Sequence, residues 1–178
     1  MSRFRLYPIS DQVVGLERHC GHARFVWNLA VEQQSWYRKS KGPVPGYVEQ
    51  SRQLTEARRE FGWLAAGSQT VQQQALRDFA QAMARFFRGT HRRPGFRKRG
   101  RNEGFRVVGP QARRVRRDNR KWSSVHVPKV GWVRFRRSRD VPDDAKSYRV
   151  TKDPAGRWHV AFTSIPEPID APGTGEVV

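Results

Sequence analysis

Cysteine is nearly missing from this 178-residue chain: Cys20 stands alone, which excludes an internal disulfide framework. Acidic residues are also scarce, 16 against 35 Lys and Arg, for a net charge of +19. A site of several converging carboxylates, as two-metal nucleases require, therefore has little to draw on. Asp143-Asp144 is an adjacent pair, but neighbours on a strand point to opposite faces and in a turn are solvated. The chain has no GxSxG elbow, P-loop or HExxH helix. It also lacks an apolar run of membrane-spanning length, a basic amphipathic helix and a lipidation signal, so no membrane partner is expected. The opening "MSRFRLYPIS" has no apolar stretch leading to a cleavage site, and a cytoplasmic protein is expected.

What is abundant is positive charge, and it is concentrated. Between Arg85 and Arg139 lie 20 of the 35 basic residues and only two acids, Glu103 and Asp118, so nearly all of the net charge sits there. Scattered arginines on helices usually make a solvated face, but this density repels itself unless a polyanion neutralises it. Nucleic-acid phosphates do so with release of counterions. Arginine outnumbers lysine, and a planar guanidinium grips phosphate bidentately or stacks on a base. "RRPGFRKRGRNEGFR", Arg92 to Arg106, is the densest part. Arg92, Arg93, Arg97, Lys98, Arg99 and Arg101 are candidate backbone contacts, and Arg113, Arg114, Arg116 and Arg117 continue the basic run. Phe96, among arginines and glycines, either stacks on an exposed base or anchors the loop to the core.

Hydrophobic periodicity predicts an α+β chain in five parts. A strand opens it (1–9), with Phe4 and Leu6 alternating against Arg3, Arg5 and Tyr7. Helices fill 10–90: one from Ser10 to about Ser40, with Ser10 offering an N-cap; a second over Val48–Glu60; and a third capped by Ser68 and stopped at Gly89. A basic connector spans 91–104, and short strands occupy 105–165, the clearest being a hairpin across Asp153-Pro154-Ala155-Gly156. The spacing predicts a small barrel or sandwich that the first strand joins, with the helices inserted between its first and second strands. Residues 166–178, rich in Pro and Gly, read as a linker. In "HCGH", His19, Cys20 and His22 are three possible metal ligands without the second pair a zinc site needs, and Cys20 lies on the apolar stripe of the first helix.

Six blocks in order, "RFRLYP", "GHARFVWNLAVEQQ", "SQTVQQQALRDFAQAMARFFRG", "RPGFRKRG", "VPKVGWVRFRRSR" and "GRWHVAFT", resemble the N-terminal half of the transposon-encoded TnpB (OrfB) proteins across essentially the whole chain. Those proteins are prokaryotic RNA-guided DNA endonucleases related to the type V CRISPR effectors. The resemblance implies a small wedge-type β-barrel interrupted by an inserted helical recognition bundle, with a Pro/Gly-rich C-terminal linker. It implies guide RNA and DNA as partners, in a setting of DNA transposition and recombination. It also makes Ser68, Gln69, Gln72 and Gln73 candidates for reading a motif beside the target, since glutamine bonds adenine edges; the bland reading is that they cap and solvate a helix. The family's catalytic acids and zinc-ribbon cysteines lie in a RuvC-like half not represented here. The expectation is a binding chain with no catalytic residues and no metal, with divalent metal (Mg) confined to a RuvC-like half that is missing or separately encoded. Alternatives are a general basic RNA-binding protein, a helix-turn-helix DNA binder, or a nuclease-dead regulator derived from the family.

Overall fold

A computed structural model describes residues 2–36, 42–142 and 145–164. The linker reading of 166–178 and the Asp143-Asp144 pair lie outside the described residues.

Alternating residues at the start form β1 (Ser2–Arg5), with Phe4 facing inward. Pro8 ends the extended stretch, and α1 (Ser10–Ser35) follows. Its N-cap is Ile9 rather than Ser10: the Ile9 N–H donates to the Gln12 side chain at 3.2 Å, which satisfies one of the helix's leading donors. The helix closes at Ser35, with the Trp36 N–H returning to Glu32, short of the expected Ser40. Helices α2 (Tyr47–Glu60), α3 (Gly62–Ala65) and α4 (Gln69–Phe87) follow. Ser68 does cap α4, accepting from the Val71 N–H. Gly89 ends it with φ +74°, its N–H on the Phe86 carbonyl. The apolar stripes of α1 and α4 face each other, with Trp27 edge-on to Phe79 at 5.4 Å.

The strands after the connector are β2 (Gly104–Val108), β3 (Val115–Arg117), β4 (Trp122–Val127), β5 (Gly131–Arg136), β6 (Ser147–Lys152) and β7 (Trp158–Thr163). They do not close into a barrel. One antiparallel sheet runs β1-β7-β6-β2 and a second runs β3-β4-β5. The two meet on one side only. At Leu6 the first strand stops pairing with β7 and bridges Phe135 of β5, and the Tyr7 N–H donates to the Arg134 carbonyl. On the other side, Gly109 at φ +73° and Pro110 turn the chain out of β2 into a 3-10 helix, Gly109–Arg113, so β2 and β3 never pair. Proline lacks the donor that a continuing ladder would need.

Phe4, Phe135, Phe162 and Tyr148 interlock between the sheets, with ring centroids 5.1 to 6.0 Å apart. The Tyr148 hydroxyl reaches across to the His126 carbonyl at 3.0 Å. Helix α1 lies against this assembly so closely that a Cβ on Gly15 would stand 2.8 Å from Val130. The hairpin turn is as expected: Gly156, at φ +78°, donates to the Asp153 carbonyl.

Candidate nucleic-acid interface

The basic connector crosses α1, and two side chains of that helix hold its backbone. Trp27 Nε1 donates to the Gly95 carbonyl at 2.9 Å. Asn28 takes both polar groups of Arg97, donating to its carbonyl at 3.0 Å and accepting from its N–H at 2.7 Å. The Arg97 guanidinium then lies 3.5 Å from the centroid of the Trp27 ring. Burial lowers its pKa to about 10, with the nearby Arg149 adding to the effect and Asp78 opposing it. Arg97 therefore remains a cation at neutral pH but faces the protein.

Its neighbours do not. Arg92, Arg93, Lys98, Arg99 and Arg101 are exposed, and Phe96 is 61% exposed. The connector's one acid is consumed internally: Glu103 accepts from Arg24 at 2.5 Å and from the Gly100 N–H at 2.7 Å. Gly100, at φ +77°, makes the turn that aims its own N–H back at that carboxylate. A shallow groove of about 310 Å³ opens beside this turn, lined by Phe96, Lys98, Arg101 and Arg149 among others.

Arg113, Arg114, Arg116 and Arg117 belong to a different place: Arg113 ends the 3-10 helix, Arg114 follows it, and Arg116 and Arg117 lie on β3 of the three-stranded sheet. All four are exposed. Arg114 and Arg116 lean on the Trp132 ring, 5.7 and 4.5 Å from its centroid. Arg113 and Arg117 line a second groove of about 260 Å³ with Arg137.

The four residues at the start of α4 separate by role. Ser68 is buried as the helix cap, and Gln72 is fully buried. The Gln72 amide oxygen accepts from Arg58 at 2.5 Å, and its nitrogen donates to the Leu64 carbonyl at 2.9 Å. Gln72 thereby braces the α3 turn with both ends of its amide. Gln73 accepts from the Ser51 hydroxyl at 2.8 Å, whereas Gln69 is exposed.

Sequence reasoning missed Arg58, whose guanidinium gathers the carbonyls of Leu64, Ala65 and Gly67 with Gln72 into one network. A single arginine in the last turn of a helix carries no signal of such a role. Also missed was the outward parity of Trp122 and Trp132, which period-two alternation against Val125 and Val133 could have shown.

In "HCGH", His19 Nε2 sits 2.6 Å from the Pro128 carbonyl and Cys20 is 3% exposed. Burial pushes the Cys20 thiol up to about 12. Among the described residues no group of three His, Cys, Asp or Glu side chains converges as a metal site would need. No described helix is long and apolar enough to cross a membrane.

Residues 2–43 match the helix-turn-helix domain of the OrfB family of IS605 elements. Within that span the described residues form β1 and one helix, α1, which runs past Gly21 without a turn. Over 167 residues the chain is 31% identical to InsQ of Escherichia coli K12, which carries the name of an RNA-guided DNA endonuclease; the alignment covers 93% of this chain and 40% of that protein. A Streptomyces pristinaespiralis protein with the same name is 30% identical over 182 residues, covering 99% of this chain and 44% of the relative. The chain thus spans less than half the length of these curated relatives. Ordered resemblance along the whole chain, an OrfB helix-turn-helix domain at its start and two relatives named as RNA-guided DNA endonucleases agree, and the chain is similar to part of the transposon-encoded TnpB (OrfB) proteins.

Proposed function

We propose that this chain is the nucleic-acid-holding part of an RNA-guided DNA endonuclease, gripping guide RNA and its hybrid with target DNA. The observation that carries this reading is the connector. Trp27 and Asn28 tie down its backbone while Arg92, Arg93, Lys98, Arg99 and Arg101 stay exposed, and the connector's own acid, Glu103, is already paired. A row of cations on an ordered backbone suits a phosphate chain of regular spacing, and leaves sequence to base pairing. Arg113, Arg114, Arg116 and Arg117 add a second set of contacts on the three-stranded sheet.

For the motif beside the target, Gln69 is the open candidate and Gln73 its partner, with Ser68 and Gln72 holding the turn that presents them. Strand cutting, and the divalent metal it uses, belong in this reading to the portion of the relatives that the chain does not span.

The test is to purify the 178-residue protein from a bacterial host and sequence the RNA that accompanies it. One discrete RNA is the expected result. A broad mixture of cellular RNAs would replace guide binding with general RNA binding.

A further inference from the structure

The outer face of the three-stranded sheet has a composition that its packing does not explain. Alternation sends Val125, Val127, Val133 and Phe135 into the core, and turns Trp122 and His126 of β4 and Trp132, Arg134 and Arg136 of β5 the other way. Register places Arg116 opposite Ser124 and Ser124 opposite Arg134, so both arginines share that face with the tryptophans.

The rings and guanidinium groups are layered. Arg116 lies 4.5 Å from the Trp132 centroid and Arg134 lies 4.8 Å from that of Trp122. Tyr7 stands edge-on to Trp122 at 5.1 Å, and Arg5 lies 5.1 Å from the Tyr7 ring. Asp118 bonds Arg116 at 3.1 Å, approaches Arg134 at 3.9 Å and accepts from the Ser124 hydroxyl at 2.6 Å. One carboxylate thus positions two guanidinium groups over two indoles, while Arg114 and Arg136 remain exposed beside them.

We propose that this face is a stacking platform for unpaired nucleotides of an RNA. The inference rests on the nucleic-acid reading above and assigns a binding mode that the connector does not have. A guanidinium resting on an indole still has its second planar face open to a base. A duplex hides its base faces, whereas an unpaired strand offers them, and every base has one, so stacking is tolerant of sequence. Arginines in excess of acids complement phosphates between the stacked bases. The names of the curated relatives carry both RNA and DNA; RNA is the one that presents unpaired loops and ends without strand separation, which selects it as the occupant.

The full chain is titrated with a fluorescent single-stranded RNA of about ten nucleotides, within the usual site size of small β-domains. The same RNA as a duplex, an abasic ribose-phosphate strand of equal length, and the corresponding single-stranded DNA serve as the other probes. Replacing Trp122 and Trp132 together by Ala should weaken single-stranded RNA binding by about tenfold or more, and leave duplex and abasic binding and the salt slope unchanged. Replacing both by Phe should restore most of the affinity. If the Ala pair melts without cooperativity, Arg116→Gln with Arg134→Gln removes the stacked layer without touching the indoles, and a selective loss on single-stranded RNA is again expected. Equal loss on all probes, or no loss, overturns the platform. Single-stranded DNA bound as tightly as RNA overturns the choice of occupant. A wild-type chain that binds none of the probes overturns the nucleic-acid reading itself, whereas one that binds all four alike, with the Ala pair unaffected, overturns the platform alone.

Discussion

The Arg97 guanidinium lies over the Trp27 indole, 3.5 Å from the ring centroid, while Trp27 Nε1 holds the Gly95 carbonyl two residues upstream. One tryptophan of α1 thereby anchors the densest run of positive charge in the chain. Arginines adjacent in sequence acquire different work from this contact.

Arg97→Gln should lower stability by about 1 kcal/mol through loss of the stacked cation, read as a fall in melting temperature. Arg99→Gln should leave the melting temperature unchanged and reduce the slope of log affinity against log salt by roughly one phosphate contact. Equal effects of the two substitutions on both readouts would remove the distinction between anchor and grip.

Asn28→Ala deletes both hydrogen bonds to the Arg97 backbone. At about 0.5–1.5 kcal/mol each, the loss should be about 1–3 kcal/mol in denaturant unfolding. RNA affinity should fall as well, although no charge is removed, because the connector must then be ordered on binding. Unchanged affinity would mean that the cations need no fixed backbone.

At the start of α4, Gln72→Ala should destabilise the protein by about 1–3 kcal/mol, since it removes from a fully buried place the acceptor of Arg58 and the donor to the Leu64 carbonyl. Gln69→Ala should be neutral in stability and, in a complex able to bind target DNA, should change preference for the adjacent motif. Gly67→Ala should also destabilise: the added Cβ would stand 2.1 Å from His22 Nδ1, a buried ring that cannot retreat. Melting curves separate the first and third from the second.

Burial lowers the pKa of His19, partly offset by its contact with the Pro128 carbonyl, and burial likewise lowers that of His22. The unfolded chain, with histidine near about 6.5, therefore binds protons before the folded chain does. Stability is complete above that value and should fall as the pH drops through it toward the folded pKa. His19→Gln keeps a side-chain N–H to donate to Pro128 and cannot titrate, so it should flatten the acid limb. Urea unfolding at a series of pH values would show this, and an unchanged limb would rule out His19 as a source.

Much of the fold was readable residue by residue. Val71, Leu76, Phe79 and Met83 recur at helical spacing, and α4 forms where they say it should. Asp153-Pro154-Ala155-Gly156 makes a tight hairpin for reasons local to those four residues. Barrel closure was not readable, because it depends on whether β2 finds β3, and Gly109-Pro110 turns the chain away instead.

By itself the sequence determined the charge and its location, the alternation of helix and strand periods, the order of the elements and the family resemblance. These follow from composition and local spacing, which need no knowledge of distant contacts. The tertiary structure alone decided which arginines are free and which are bound, that Gln72 is an internal brace while Gln69 is open, and that Trp122 and Trp132 share a face with Arg116 and Arg134. The physical reason is that a guanidinium or an amide has the same chemistry everywhere in the chain. Partners far off in the sequence, as Asn28 is 69 residues from Arg97, settle whether that chemistry is spent inside the protein or offered to a nucleic acid.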